Sequence, residues 1–196
     1  VSNCKYKILL KKKQILFLGR INPIKNIDVL IRSYFKLPDQ IKSEFKLIIA
    51  GEAKLDYEKK YLKEIELLIE RLKLRDYIKL VNGIYGRAKE NLIAESYCTV
   101  LPSKSENFGN VILESLCQNT PVIVSKNAPW SILELSEAGY WIEPDETSIT
   151  DALLKMISLK ESEYKEMQSV AGKLVSEEFD IKKNIYKWEK LYKTLQ

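Results

Sequence analysis

Short apolar runs alternate with longer amphipathic stretches along this chain, and this alternation restricts the fold more than any other feature of the sequence. Each apolar run has the length of a strand, and each amphipathic stretch repeats its apolar residues at helical spacing. The predicted strands are residues 14–18, 45–50, 77–81, 98–101, 121–125 and 140–142. The predicted helices are residues 26–36, 57–73, 87–95 and 108–118, and most of 148–196 outside breaks near Leu159 and Phe179.

Strands that alternate with helices indicate βαβ units, because a parallel neighbour can be reached only by a crossover connection. The predicted strands are almost entirely apolar, as expected where helices cover both faces of a sheet. We therefore predict an α/β fold: a Rossmann-like, doubly wound parallel sheet over residues 1–159, followed by a helical tail over residues 160–196. The chain begins with Val rather than Met, and we expect it to be a piece of a longer protein.

Glycine is scarce, with only seven residues in the chain, and its placement indicates a ligand crevice. Gly19, Gly51 and Gly83 stand at or just after the ends of predicted strands, and Gly109 stands at a predicted helix start. Open α/β sheets bind ligands outside the carboxyl ends of their strands, where glycine lets the backbone turn or approach the ligand. A tight turn explains any single one of these glycines, but the four together favour a binding site.

The loop after the first predicted strand adds two cations to this edge of the sheet. Arg20 and Lys25 follow Gly19 and precede a helix for which Asn26 is the expected N-cap. A guanidinium and an ammonium beside a helix N-terminus suit a diphosphate. The loop matches neither the P-loop nor the G-x-G-x-x-G pattern, so two solvated surface cations are the alternative.

Two carboxylates flank the start of the helix predicted at residues 108–118. Glu106 lies in the polar loop before the helix, and Glu114 interrupts an otherwise apolar stretch inside it. The free N–H groups of residues 108–110 form a candidate anion site between them. Their axial offset is at most about 12 Å, which suits a sugar and a ribose joined by a diphosphate. A helix cap for Glu106 and a salt bridge for Glu114 are the alternative.

The composition limits the chemistry of any such site. The chain has no histidine, which excludes Ser-His and Cys-His nucleophilic catalysis and zinc bound by histidine. The three cysteines, Cys4, Cys98 and Cys117, have no metal-binding spacing, and their odd number favours a reducing compartment such as the cytoplasm.

The net charge of +5 fits a solvated surface, and we expect no nucleic-acid partner. Only the basic cluster at residues 5–13 is dense enough to suggest a peripheral contact with an anionic membrane. The longest apolar runs fall far short of the about 20 residues that span a bilayer.

In order and spacing, these motifs resemble the C-terminal domain of retaining, GT-B-fold glycosyltransferases of the GT4-type family called glycosyl transferases group 1. The resemblance covers about residues 15–156. It rests on Phe-Leu-Gly-Arg at 17–20 with Lys25, Ile-Ala-Gly-Glu at 49–52, Leu-Pro-Ser at 101–103, Ser-Glu-Asn-Phe-Gly at 105–109 with Glu114, and Thr-Pro-Val at 120–122. Because GT-B enzymes have two Rossmann-like domains, the resemblance implies that this chain is one half and that its last helix crosses to a missing N-terminal domain.

The resemblance also implies roles for individual residues in a site for a UDP- or GDP-sugar. Arg20 and Lys25 would hold the diphosphate and stabilise the leaving nucleoside diphosphate. Glu106 would contact the transferred sugar, and Glu114 the ribose hydroxyls. The predicted catalytic residues are thus Glu106, Arg20 and Lys25. The predicted binding residues, with Ile84 and Tyr85 near the base, are Gly19, Arg20, Lys25, Ile84, Tyr85, Glu106, Asn107, Phe108, Gly109, Asn110 and Glu114.

The implied reaction transfers a sugar with retention, and without a bound metal, to a glycan or lipid-linked acceptor at the inner face of the membrane. The context implied is bacterial surface polysaccharide synthesis, and the isolated domain is expected to be inactive. Where many relatives have a glycine-rich segment, this chain has Pro129 and Trp130, which leaves the sugar open. The alternatives are a stand-alone binding or interaction subunit and, less favoured, a hydrolase that uses Glu106 and Glu114 as acid and base.

Overall fold

The computed structural model describes the backbone of residues 11–194, with all side chains in that range except those of residues 182, 183 and 187–189. Its strands are β1 (Gln14–Leu18), β2 (Lys46–Ala50), β3 (Ile78–Val81), β4 (Cys98–Leu101), β5 (Val122–Ser125) and β6 (Gly139–Ile142). They form one sheet in the order β3-β2-β1-β4-β5-β6, and every pairing is parallel. The predicted α/β fold is confirmed, and each strand lies within one residue of its expected bounds.

Helices connect the strands and cover the sheet. They are α1 (Ile27–Phe35), α2 (Asp39–Glu44), α3 (Asp56–Arg71), α4 (Gly86–Glu95), α5 (Asn110–Cys117), α6 (Leu133–Ser136), α7 (Glu146–Ile157), α8 (Glu161–Glu178) and α9 (Ile181–Thr194). The short helices α2 and α6 were not expected, because neither is long enough to show an apolar stripe. The prediction for α5 was wrong at its start, which lies two residues later than expected.

The core forms around β1, which lies in the middle of the sheet between β2 and β4. Ile15, Leu16 and Phe17 of this strand have no exposed surface. Alternate side chains point to opposite faces of a strand, so a strand that is buried on both faces needs an almost continuous apolar sequence. The apolar composition of the strands thus follows from helices packing on both sides.

The strand order reverses between β1 and β4, and this reversal positions the candidate site. From β1 the chain continues outward to β2 and β3, and from β4 it continues the other way to β5 and β6. The loops that leave β1 and β4 are therefore neighbours at the carboxyl edge, where such sheets bind ligands. They are joined directly, because the Lys104 N–H donates to the Ile24 carbonyl at 2.8 Å.

The tail begins with a helix that packs against the sheet domain. Met167, Ala171 and Leu174 of α8 belong to the same buried cluster as β1. The Tyr164 hydroxyl donates to the Tyr97 carbonyl at 2.6 Å, and the two rings stack with centroids 4.1 Å apart. The first half of the tail is thus held by the sheet domain, whereas the crossing of α9 to another domain stays a prediction.

Helix α9 presents large apolar side chains to solvent. Those at least 48% exposed are Ile181, Ile185, Tyr186, Leu191 and Tyr192. In the sequence, Trp188 and Tyr192 have i, i+4 spacing with Leu191 and Leu195 beside them, which predicts an apolar face on this helix; the Trp188 side chain and Leu195 lie outside the described residues.

The described half of the N-terminal basic cluster is engaged within the domain. The half-buried Lys11 donates to the carbonyls of Ala94 and Gln118 and to the Thr120 hydroxyl. Lys12 and Lys13 form exposed ion pairs with glutamates. Residues 5–10 and Cys4 lie outside the described residues, so the membrane contact stays a prediction.

Two further sequence inferences can be compared with the described residues. Cys98 and Cys117 are buried, as expected for small core residues. Within residues 11–194, no helix combines the length and the apolar composition needed to cross a bilayer.

Candidate functional site

The loop after β1 starts where two chain segments approach closely. The Gly19 N–H donates to the Ala50 carbonyl at 3.0 Å. A Cβ atom on Gly51 would lie 1.8 Å from the Gly19 carbonyl oxygen, so only glycine fits at position 51. Gly19 itself has room for a Cβ atom. Both glycines follow a strand, but only Gly51 is required for the close approach of the two segments.

Arg20 projects from this loop and lies against a buried carboxylate. Its side chain is 66% exposed, and its Nη1 atom lies 3.7 Å from Oε1 of Glu58, which is 1% exposed. Glu58 accepts hydrogen bonds from the N–H groups of Leu55 and Lys54 and from the Asn22 amide. These bonds, the backbone ones first, hold the pKa of Glu58 below its usual range. Glu58 thus remains ionised beside Arg20, which is free to reach a ligand.

Lys25 and Glu106 form a half-buried ion pair between the loops after β1 and β4. Both side chains are only 15% exposed, and the Lys25 ammonium donates to Oε2 of Glu106. The Ser103 hydroxyl lies 3.4 Å from the same carboxylate oxygen. We expected a free cation for phosphate and a separate carboxylate for sugar; in the structure the two groups neutralise each other.

Asn26 stands at the N-cap position of α1, but the expected capping by its side chain does not occur. Its backbone is left-handed, with φ 59°, and the side chain makes no capping hydrogen bond. The amide instead donates to the Pro144 carbonyl at 2.9 Å. Asn26 therefore ties the loop after β1 to the segment before α7.

The loop after β4 reaches α5 through a glycine that no other residue can replace without strain. Gly109 has φ +78°, and a Cβ atom there would lie 2.9 Å from Leu101 and 3.3 Å from Glu106. The residue is buried, and its N–H makes no hydrogen bond with the described residues. Helix N-termini have N–H groups without intrahelical acceptors, and such groups favour an anionic ligand.

Glu114 is not the buried carboxylate that the apolar sequence around it suggested. Its side chain is 39% exposed, because α5 turns this position away from the core. Oε1 of Glu114 lies 2.6 Å from Nζ of Lys89 on α4. The salt bridge considered as the alternative is therefore present, and it leaves part of the carboxylate accessible.

The loop after β3 carries the predicted base-contacting residues. Tyr85 is 65% exposed, and its hydroxyl bonds to Glu52, which raises the pKa of Tyr85. Ile84 is half-buried. A Cβ atom on Gly83 would lie 2.5 Å from the Glu52 side chain, so this glycine allows the loops after β2 and β3 to meet.

Two residues of the site, Glu58 and Lys89, were not identified from the sequence, and Trp130 was noted only as a departure from the family pattern. Glu58, Lys89 and Trp130 each contact a predicted residue from another element, and Trp130 does so through its indole N–H, which donates to the Phe108 carbonyl. No sequence pattern distinguishes Lys89 and Glu58 from the other charged residues on helices. Trp130 could have been identified from the sequence, because a tryptophan in a polar loop is unusual. Among residues 11–194, no group of three His, Cys, Asp or Glu side chains converges as metal ligands would.

Comparison with known proteins identifies the family. The family model described as glycosyl transferases group 1 matches residues 4–173. This chain belongs to that family. An uncharacterized glycosyltransferase of Methanocaldococcus jannaschii is 32% identical over 135 residues, which cover 68% of this chain and 32% of that protein.

A relative with a more specific name comes from Campylobacter jejuni. The N-acetylgalactosamine-N,N′-diacetylbacillosaminyl-diphospho-undecaprenol 4-alpha-N-acetylgalactosaminyltransferase is 31% identical over 153 residues, covering 76% of this chain and 39% of that protein. The family membership and this relative agree with the resemblance described from the motifs.

A solved structure has the same fold. Anabaena Alr3699/HepE, crystallised in complex with UDP, superposes with a TM-score of 0.77 at 23% identity, covering 94% of this chain and 49% of that one. This chain spans less than half the length of each of these three proteins.

Proposed function

We propose that this chain binds the nucleotide-sugar donor of a retaining glycosyltransferase. The observation that carries this proposal is the junction of the loops after β1 and β4, where Lys25 and Glu106 meet beside the unpaired N–H of Gly109. Cation, carboxylate and N–H are the groups needed for a phosphate and a sugar hydroxyl. They meet at the point of strand-order reversal, where the fold class binds ligands.

Each end of the donor has its own groups at this edge. Arg20, with two-thirds of its side chain exposed, and Lys25 hold the diphosphate, and Glu106 accepts hydrogen bonds from the transferred sugar. The N–H groups of residues 107–110 lie between the sugar and the phosphates, and Gly19 borders the diphosphate at the end of β1. The exposed part of Glu114 accepts the ribose hydroxyls, and Ile84 and Tyr85 border the base.

This arrangement suits a transfer in which the bond between the sugar C1 and the diphosphate oxygen breaks. Its electron pair remains on the leaving oxygen, which the charge of Arg20 and the remaining N–H donors of the Lys25 ammonium stabilise. The oxygen of an acceptor hydroxyl forms the new bond to C1, and the hydroxyl proton passes to the leaving diphosphate. Because side-chain cations supply the positive charge, we propose that this transfer proceeds without a bound metal.

The acceptor site belongs to the part of the protein that this chain does not include. The chain spans less than half of its relatives, and α9 presents an apolar face that another domain can cover. The Campylobacter relative is named for a diphospho-undecaprenol-linked glycan. By likeness to it, we propose a glycan or lipid-linked acceptor in bacterial surface polysaccharide synthesis, used at the cytoplasmic face of the membrane.

Titration calorimetry tests donor binding, with the 196-residue chain in EDTA and UDP, GDP and ADP and their sugars as ligands. One diphosphate should bind saturably, and Arg20→Ala and Glu114→Ala should each weaken it. Arg75→Ala is the matched control, because Arg75 is similarly exposed and also pairs with a glutamate, but it lies between α3 and the amino end of β3, at the opposite edge of the sheet. Equal affinity in all four proteins would contradict the residue assignments, and no binding in any would contradict the donor site.

A second assay tests whether the acceptor half is needed. The chain alone, mixed with radiolabelled donor and undecaprenyl-diphosphate glycans, should transfer no sugar, whereas the longer protein should. Transfer by the 196-residue chain alone would show that it contains a complete active site.

A further inference from the structure

Trp130 is a fully buried aromatic residue near the candidate site. It follows β5 in the loop where the chain departs from the glycine-rich pattern of the family, and it has no exposed surface. Its ring packs against Phe108, with centroids 5.2 Å apart, and against Phe179 at the end of α8, also 5.2 Å away. Trp130 therefore connects the loop after β4 with the tail.

The single polar atom of the Trp130 side chain forms a hydrogen bond with the loop between β4 and α5. Its indole N–H donates to the carbonyl oxygen of Phe108. A second contact supports the same loop from β5, because the Ser125 hydroxyl donates to the Ser103 carbonyl at 2.7 Å. The loop that carries Glu106 is thus held at one end by the last residue of β5 and at the other end by the loop that follows β5.

Holding the Phe108 carbonyl also sets the direction of the next N–H. The C=O of residue 108 and the N–H of residue 109 belong to one planar peptide unit, and in a trans unit they point in opposite directions. The described chain contains no cis peptide bond. The Gly109 N–H therefore points away from Trp130, and it finds no acceptor among the described residues.

The position of Gly109 beside Glu106 indicates which part of a donor the Gly109 N–H contacts. The Cα atom of Gly109 lies beside Glu106, since a Cβ atom there would be 3.3 Å from the Glu106 side chain. Glu106 is paired with Lys25, whereas Glu114 is paired with Lys89. Gly109 thus lies at the Lys25 end of the site, which was assigned above to the diphosphate and the sugar. The phosphate nearest to this end is the distal one, which carries the sugar.

We propose that Trp130 is a positioning residue that turns the Gly109 N–H toward an oxygen of the distal phosphate of the donor. The inference rests on the proposed function, since it concerns the same site. Trp130 does not touch the donor; it fixes a peptide plane that does. The ring fills the space behind the loop, and the indole N–H prevents the peptide from rotating.

The test compares Trp130→Phe, which keeps an aromatic ring but removes the N–H, with the wild-type chain and with Trp141→Phe. Trp141 is the control for loss of an indole N–H, because it donates to the Ala128 carbonyl at 3.0 Å, in the loop of Trp130, and not to the loop of Glu106. Calorimetry measures the affinities for UDP and UMP, or for GDP and GMP if guanine nucleotides bind better. If Trp130→Phe does not fold, Trp130 is replaced by benzothienylalanine. This residue keeps the shape of the indole ring and has sulfur in place of the N–H.

Loss of one hydrogen bond predicts an about three- to tenfold weaker affinity of the Trp130 variants for the diphosphate, with the monophosphate affinity unchanged. The NMR signal of the Gly109 amide should shift in the same variants even without ligand. Equal losses for diphosphate and monophosphate, or unchanged affinities, would overturn the positioning role while leaving the donor site standing. A wild-type chain that binds no diphosphate would overturn the proposed function, and the positioning role with it.

Discussion

Nζ of Lys89 lies 2.6 Å from Oε1 of Glu114, and this contact joins helices α4 and α5 beside the candidate ribose site. Lys89 is 29% exposed and Glu114 39% exposed, so the pair is accessible to a ligand on one side. A carboxylate with one oxygen held by a lysine keeps its other oxygen available for the ribose hydroxyls of the proposed donor. Lys89 thus orients Glu114 from an element that the sequence motifs do not include.

Replacement of Lys89 should weaken nucleotide binding only where the ligand has ribose hydroxyls. In Lys89→Met the carboxylate loses its orienting partner, and we expect the affinity for UDP to fall by at most about fivefold, the usual range for a partly exposed pair. The affinity for 2′,3′-dideoxy-UDP, which has no hydroxyls for Glu114, should not change. Lys165→Met, in an exposed pair on α8, is the control. An equal loss for both nucleotides would mean that Lys89 contacts another part of the ligand.

Breaking the Lys25–Glu106 pair should destabilise the fold, because both groups are mostly buried. Lys25→Met leaves the carboxylate without its cation, and we expect a loss of about 1–3 kcal/mol in the free energy of unfolding, measured by urea denaturation. Adding Glu106→Gln should recover part of this loss, since a neutral amide needs no counter-charge. Lys13→Met removes one partner of an exposed pair and should change stability little. A double variant no more stable than Lys25→Met would argue against the coupling.

The buried carboxylate of Glu58 predicts the direction of the acid dependence of stability. Its pKa in the folded protein lies below its ordinary value of 4.5, chiefly because the Leu55 and Lys54 N–H groups bond to it. The unfolded chain therefore binds the proton more readily, and the stabilisation that is complete above pH 4.5 is lost as the pH falls through the folded-state pKa. Urea denaturation between about pH 3 and pH 7 should show a flatter profile for Glu58→Gln.

The matched control for that profile lies on the same helix. Glu66→Gln changes an exposed carboxylate of α3 and should leave the wild-type acid dependence in place. If Glu58→Gln retained the full wild-type slope below pH 4.5, the acid sensitivity would have to come from another carboxylate.

Two glycines that follow neighbouring strands should respond in opposite ways to alanine. In Gly51→Ala the new Cβ atom would lie 1.8 Å from the Gly19 carbonyl oxygen, and we expect a loss of about 3 kcal/mol or more in the free energy of unfolding. In Gly19→Ala the nearest atom is 3.5 Å away, so stability should be almost unchanged. Thermal denaturation of the two variants measures the difference. Equal destabilisation would mean that these two loops do not approach as closely as described.

Much of the secondary structure could be predicted because its cause is local. The apolar runs of β1 and β4 and the helical spacing in α3 depend on residues close together in sequence, and their strands and helices formed almost as expected. The start of α5 was wrong because the positive φ of Gly109 delays the helix. That conformation depends on Leu101 and Glu106 packing around the glycine, which the helical pattern does not contain.

The sequence by itself determined the fold class and the residue types available for chemistry: an alternating α/β chain without histidine, with cations after β1 and carboxylates around α5. Only the tertiary structure decided which of these groups meet. Lys25 and Glu106 are 81 residues apart, and Lys89 and Glu114 are 25 apart, so neither pair leaves a local pattern. The burial of Trp130 likewise depends on three distant segments. Periodicity is a property of neighbours along the chain, whereas ion pairing and orientation depend on distances that exist only after the sheet has brought its loops to one edge.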